Sequence, residues 1–383
     1  MSTIIELRLP TDSSFTNLML YEGIIYLMRE TSPQRKNHEL QIGPEDLAAM
    51  YNNLDQQRIE RIRLLLCPHD KEPINKLLKL YKIKIPSNAK ISGYNNLINI
   101  LKKNSNKFTI KQNKITLQLS VGRNVSIGGH KLNRSTGISL QLFKVERYTG
   151  ITSTELTYST KQLTTYLSPE TLLIGLLGIY SSYVQTVREK NFNYYFLLFD
   201  PREIADILNS NKNVENIMNM KNVVRDELAK VIGKHFSEEL MIAEILVNVA
   251  LQDEMVKNRL EKLSLMLVRV AHEGQTYKIY QIIPLTIVKR KFASKVLYDI
   301  INPDGFLLSR LSKRDNVEYN NLIMAINGLY RYVILNDQQG LFTMIRELHN
   351  AYHKVKSDEK SQKVAGQYRY LLTHVVPGLL NVP

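Results

Sequence analysis

Between Pro73 and Val145 the chain has no Asp and no Glu, yet it carries fourteen basic residues: Lys76, Lys79, Lys82, Lys84, Lys90, Lys102, Lys103, Lys107, Lys111, Lys114, Arg123, Lys131, Arg134 and Lys144. A solvated protein face ordinarily mixes both signs of charge, and this stretch does not. The 383 residues hold 51 Lys and Arg against 36 Asp and Glu, a net charge of +15. Nearly all of the imbalance therefore sits in one segment. The pattern points to a polyanionic partner, nucleic acid or an anionic membrane surface, over a merely Lys- and Asn-rich composition.

The same segment is patterned to fold. Pro73 to Tyr81 predicts a short helix with Ile74, Leu77, Leu78 and Tyr81 inward and Lys76, Lys79 and Lys82 outside. Tyr94 to Leu101 predicts a second, ending in Lys102 and Lys103. The run FTIKQNKITLQLSV then alternates on both sides of Gln112-Asn113. It predicts a hairpin with its lysines, Lys111 and Lys114, on one face and at its tip. Next comes VGRNVSIGGHKLNRSTG, with Arg123, His130, Lys131, Asn133 and Arg134 between glycines. Glycine lets a backbone approach phosphates, while Arg, Lys and Asn reach phosphate oxygens and base edges. The loop does not match the nucleotide-binding GxxxxGK[ST] pattern. It is read as contacting nucleic acid, against the plainer reading of a long connection that happens to be basic.

Elsewhere the fold reads as α+β: a mixed basic N-terminal α/β region with β-hairpins over 1–150, a central mixed α+β region over 151–287, and a helical C-terminal bundle over 288–383. Thr3 to Leu9 predicts a strand, followed by a helix to about Arg29. Asp55 to Leu66 predicts a helix, and Ile138 to Glu146 and Thr154 to Tyr158 predict strands. Ser168-Pro169-Glu170 is an N-cap, an N1 proline and an acidic first turn, opening a helix expected to reach about Lys190. Its apolar core, Leu172 to Tyr180, is too short for a membrane span of about 20 apolar residues, and predicts a buried helix. Asn193 to Phe199 predicts a buried strand closed by Asp200-Pro201. Helices are expected at Arg202–Asn209, Val214–Gly233 and Ser237–Lys262. LSLMLVRVA and YKIYQIIPLTI, joined by residues 272–276, form a second expected hairpin. Helices are expected to start near Val317, Gly340 and Gln362. In MSTIIELRLP, Glu6 and Arg8 stand where a secretory signal would be apolar.

Catalytic patterns are not found. Cys67 is the single cysteine, which excludes an internal disulfide and a Cys-based zinc module and fits a reducing cytoplasm. His69 neighbours it without a family signature. His272-Glu273 does not extend to HExxH, and the serines of GIYSSYV lack a nucleophile elbow. His349 and His353 stand at i and i+4 of an expected helix, a spacing that could hold a metal, although surface histidines are the default. Asp299, Asp304, Asp315 and Glu318 match no nuclease motif. No cofactor, metal or catalytic residue is expected.

Three stretches carry a resemblance: LSPETLLIGLLGIYSSYV with NYYFLLFDPREI, LVRVAHEGQTYKIYQIIPL, and NGLYRYVILNDQQGLFTMIRELHNAY. With the basic N-terminal half and helical C-terminal end, they resemble the large subunit of type I CRISPR effector (Cascade) complexes, most of all the archaeal type I-A form. The resemblance spans about two-thirds of the chain. It implies a non-catalytic, cytoplasmic subunit of an antiviral ribonucleoprotein. Such a subunit helps hold the 5′ end of the guide RNA and recognises the protospacer-adjacent motif on double-stranded target DNA. Its partners would be the other complex subunits and a helicase–nuclease recruited in trans. Lys102, Lys103, Lys107, Lys111, Lys114, Arg123, His130, Lys131, Asn133 and Arg134 are the expected nucleic-acid contacts. The competing expectations are a stand-alone viral or plasmid-type DNA- or RNA-binding protein and an unrecognised metal-dependent nuclease.

Overall fold

A helix apolar on every side has no face to give to water and must be enclosed. Two such helices organise the N-terminal part of this protein: α1 (Phe15–Thr31) and α6 (Pro169–Ser182), the second buried at every position from Glu170 to Ser182. They touch backbone to backbone. A Cβ added at Gly23 would lie 2.0 Å from the Ile174 carbonyl oxygen, and one at Gly178 would lie 1.9 Å from that of Met19. Only glycine permits this approach, which is why an apolar run contains it.

The computed structural model describes residues 3–7, 14–31, 35–36, 39–84, 91–121, 124–129, 131–148, 164–188, 191–209, 213–232, 248–289, 305–311, 313, 315–335, 337–357 and 362–380. The chain forms two compact units, Met1–Met218 with Ser264–Leu285, and Asn219–Leu263 with Thr286–Pro383. Among the described residues no helix is long and apolar enough to cross a membrane.

The first unit holds three sheets. In one, β1 (Thr3–Glu6) pairs antiparallel with β3 (Glu39–Ile42) and parallel with β4 (Lys114–Thr116), in the order β2-β3-β1-β4, with β2 at Arg35–Lys36. Ile5, Leu40, Ile42 and Ile115 fill its inner face. A second small sheet joins β5 (Ser120–Val121), β6 (Val125–Ile127) and β7 (Thr165–Leu167). The third has the order β11-β10-β9-β8, from β8 (Tyr183–Arg188), β9 (Phe192–Phe199), β10 (Lys262–Glu273) and β11 (Thr276–Val288). The predicted hairpin of β10 and β11 forms about the turn at Gly274-Gln275. Between the strands lie α2 (Pro44–Asn52), α3 (Gln56–Arg61), α4 (Lys71–Leu80), α5 (Tyr94–Lys103) and α7 (Pro201–Asn209).

Several elements depart from local expectation. The helix opened by Ser168 stops at Ser182 instead of reaching Lys190, and Tyr183–Arg188 is a strand paired antiparallel with β9. Val184, Thr186 and Val187 favour the pleated state, and Arg58 caps carbonyls at the helix end. Its guanidinium donates to the carbonyl oxygens of Tyr180, Ser181 (2.8 Å) and Tyr183 (3.4 Å) and lies over the Tyr180 ring. The helix expected over Asp55–Leu66 covers only Gln56–Arg61, because the chain extends at Ile62 and Leu65 bridges to Gly93. Ile138 to Glu146 is not a strand. A single bridge at Ile138–Leu167 leads into a 3-10 helix over Gln141–Tyr148. The expected strand at 154–158 lies outside the described residues.

The second unit contains most of α8 (Val214–Ile232), α9 (Val249–Lys257), α10 (Phe306–Leu311), α11 (Tyr319–Leu335), α12 (Gln338–Lys356), α13 (Gln362–Tyr370), a π-helical turn at Leu371–Val375 and α14 (Pro377–Leu380). Of the helix expected over Ser237–Lys262, residues 237–247 lie outside the described residues; the helix runs Val249–Lys257, capped by Asn248 and Asn258, and Lys262 already begins β10. Leu322, Ile326 and Leu329 of α11 meet Met344, Leu348, Ala351 and Val355 of α12 and Tyr368 of α13 in one core. Inside it Glu318 is fully buried, held by Arg310 Nε at 2.7 Å and by the Tyr368 hydroxyl at 3.3 Å.

Candidate nucleic-acid interface

The basic segment begins on α4. Ile74, Leu77 and Leu78 point inward, Lys79 is exposed and Lys76 is half-buried. The helix ends in a Schellman-type turn, in which Ile83 N donates to the Leu78 carbonyl (2.8 Å) and Lys82 takes the left-handed position at φ +53°. Glycine usually fills that place. A lysine there stays exposed, beside exposed Lys84. On α5, Tyr94, Leu97, Ile98 and Leu101 are buried, and Lys102 and Lys103 sit at the C-terminal end, where cations complement the helix dipole.

The hairpin predicted across Gln112-Asn113 does not form. Phe108 inserts between the rings of Tyr51 (5.1 Å) and Tyr81 (5.3 Å), and Ile110 is buried. The N–H of Lys111, which a hairpin partner would have received, goes to the Glu170 carboxylate on the first turn of α6 at 3.0 Å. Lys114–Thr116 instead joins the free edge of β1, led in by Ile4 N donating to the Asn113 carbonyl at 3.0 Å. Burial of two large apolar side chains outweighs a local turn without glycine. The Tyr81–Phe108 contact brings the end of α4 to the chain after α5, so Lys82 and Lys107 each flank one of the two touching residues.

The glycine-rich loop also finds its partners within the fold. A Cβ at Gly128 (φ +80°) would fall 1.8 Å from Thr171 Oγ1 at the start of α6. Asn133 Oδ1 accepts from the N–H groups of Ser135 (2.8 Å) and Thr136 (3.2 Å), closing a turn. Lys76 Nζ donates to the carbonyls of Arg134 (2.8 Å) and Gly137 (2.6 Å), pinning the loop to α4. Partial burial lowers the pKa of that amine. Arg134 makes a bidentate pair with Glu72 at 2.8 and 2.9 Å, although the two side chains are 80% and 73% exposed.

The ten residues expected to bind nucleic acid thus divide. Lys102 donates to the Leu54 carbonyl, and Lys114 is claimed by Glu6 at 2.6 Å with Glu39 at 3.9 Å. Asn133 and Arg134 are engaged as above. Lys107 is exposed, and its one side-chain partner among the described residues is the neutral Asn104 side chain, at 2.9 Å. Lys103, Lys111 and Lys131 are exposed, with no side-chain partner among the described residues. Arg123 and His130 lie outside the described residues. Lys79, Lys82 and Lys84, on the outer face and end of α4, share this unpaired, exposed state and were absent from the expected contacts. The outward phase of α4 was the signal that marks them.

Cys67 has a histidine partner, but not His69. Sγ lies 3.4 Å from Nε2 of His272. Burial, reinforced by the neighbouring Asp70 carboxylate, pushes the thiol up to about 12, and burial lowers the pKa of His272. A neutral thiol beside a neutral imidazole is a packed contact and not the thiolate that nucleophilic chemistry needs. Asp70 is itself buried and accepts the N–H groups of Gln141 (2.7 Å) and Cys67 (3.0 Å). Among the described residues no three His, Cys, Asp or Glu side chains gather where a metal ion could sit.

No family model matches the chain. It is 36% identical, over 396 aligned residues, to an uncharacterized protein of Archaeoglobus fulgidus (strain ATCC 49558 / DSM 4304 / JCM 9628 / NBRC 100126 / VC-16). The alignment spans 97% of this chain and 99% of that protein. With such identity maintained over essentially the full length of both proteins, the chain belongs to one family with this archaeal protein.

Proposed function

We propose that this chain is a non-catalytic, cytoplasmic nucleic-acid-binding protein, and more specifically the large subunit of a CRISPR RNA-guided surveillance complex. It contacts the 5′ end of the guide RNA and recognises the protospacer-adjacent motif on double-stranded target DNA. The other complex subunits surround it, and a helicase–nuclease acts in trans. The observation that carries the nucleic-acid reading is the set of exposed, unpaired lysines spread over α4, the end of α5 and the chain to Lys131. Lys79, Lys82, Lys84, Lys103, Lys111 and Lys131 face solvent without a carboxylate partner among the described residues. Cations left unneutralised along one acid-free stretch are the electrostatic signature expected of a phosphate-binding segment. The finer assignment rests on the resemblance of the α6–β9, β10–β11 and α11–α12 stretches to CRISPR large subunits.

In this reading the lysines position the phosphates and Lys131 is the side chain left free to read a base edge, since Asn133 and Arg134, though exposed, are engaged by the turn and by Glu72. The test is purification of the tagged full-length chain from its native host, with sequencing of the bound nucleic acid. Short RNAs sharing a common 5′ sequence, travelling with partner proteins, are the expected result. Recovery of the chain alone, or with random nucleic acid only, would overturn the complex assignment.

A further inference from the structure

His349 and His353 lie one turn apart on α12, a nineteen-residue helix whose Leu348, Ala351 and Val355 are buried in the C-terminal core. Both histidines are exposed, and their rings meet edge to face with centroids 4.4 Å apart. Their Nε2 atoms are 3.2 Å apart. At that distance the two nitrogens cannot both carry a proton along the line joining them. Two imidazole nitrogens bound to a tetrahedral zinc ion at 2.0–2.1 Å lie about 3.3 Å apart, so the nitrogen separation is that of a chelate, and small ring rotations would aim both lone pairs at one ion.

We propose that His349 and His353 form a bidentate surface site for a borderline divalent transition-metal ion of the zinc, nickel or copper class, its remaining positions filled by water. The donor set selects the class. Imidazole suits these ions, whereas magnesium and calcium require oxygen ligands. No third His, Cys, Asp or Glu joins the pair among the described residues, which leaves the coordination open. Arg346, Lys354 and Lys356 on the same helix add positive charge nearby. They disfavour a cation held by Coulomb attraction alone and so favour one bound through nitrogen donation. The site stands on its own geometry and does not depend on nucleic-acid binding.

The experiment is isothermal titration of the untagged full-length chain with zinc chloride in a non-chelating buffer, with magnesium chloride as the control ion. The wild type is compared with His349→Ala, His353→Ala and His353→Gln. One saturable zinc site is expected, weakened about a hundredfold in each variant because the chelate is reduced to one ligand. Magnesium should produce no such site. Circular dichroism identical to wild type excludes a folding defect, which two exposed helical positions do not invite. Wild-type zinc affinity in any of the three variants, or no saturable zinc site in the wild type up to millimolar zinc, overturns the proposal.

Discussion

Replacing Lys103, Lys107, Lys111 and Lys131 together by Gln removes four cations that no carboxylate neutralises among the described residues. Each phosphate contact contributes about 0.9 to the slope of log affinity against log salt for duplex DNA, and about 0.7 for a single strand. If all four engage, the slope flattens by about 3.6 for duplex and about 2.8 for single strands. Between 50 and 200 mM salt this removes about 150-fold of the wild-type loss of duplex affinity. The assay is fluorescence anisotropy on labelled duplex and single-stranded oligonucleotides across a salt series. Lys102→Gln with Lys114→Gln is the internal control, because those amines are held by the Leu54 carbonyl and by Glu6. Its slope should change by less than about 1. A quadruple variant with the wild-type slope, or a control variant that flattens equally, would refute the division of the lysines into free and engaged.

Glu72→Gln releases Arg134 from its bidentate pair and should raise nucleic-acid affinity and steepen the salt slope by up to about 1; an unchanged slope in the same assay would leave Arg134 outside the interface. Burial raises the Asp70 carboxyl from 3.8 to about 6, against the two N–H groups and the Lys144 charge that act to lower it. The folded state therefore favours the protonated form. The stabilisation from this group is fully present below pH 3.8 and is lost as the pH rises through about 6, a span of about 3 kcal/mol. Urea unfolding from pH 4 to 7 should show Asp70→Asn gaining on wild type by about that amount, and parallel profiles would contradict it. Purified protein incubated with labelled DNA and RNA plus magnesium, manganese or zinc should leave both intact; cleavage abolished by substituting Asp299, Asp304 or Asp315 would establish a nuclease.

Wherever short-range rules were sufficient, the amino-acid sequence determined the local structure. The 3.6-residue period placed α4 and α5 and put Lys79 and Lys103 outside. Ser168-Pro169-Glu170 marked the start of α6 to the residue, with Ser168 accepting from Thr171 N. The period-2 runs on either side of Gly274 marked the β10–β11 hairpin. The helix starts expected near Val317, Gly340 and Gln362 appear at Tyr319, Gln338 and Gln362. Each of these signals lies within one turn or one strand of the residues it governs, where backbone sterics and side-chain period act directly.

What the sequence could not determine involves partners distant along the chain. Phe108 and Ile110 had the alternation of a strand, but the rings of Tyr51 and Tyr81 and the carboxylate of Glu170 were there to receive them. Arg58 stops α6 from beyond its end. The same holds for the interface. The absence of acid between Pro73 and Val145 is a property of chain order. Folding brings Glu6 to Lys114, Glu72 to Arg134 and the Leu54 carbonyl to Lys102. Coulomb and hydrogen-bond energies depend on distance in space and not on separation in sequence. The tally of cations could therefore be read from the chain, whereas which of them remain free for a phosphate depended on the folded arrangement.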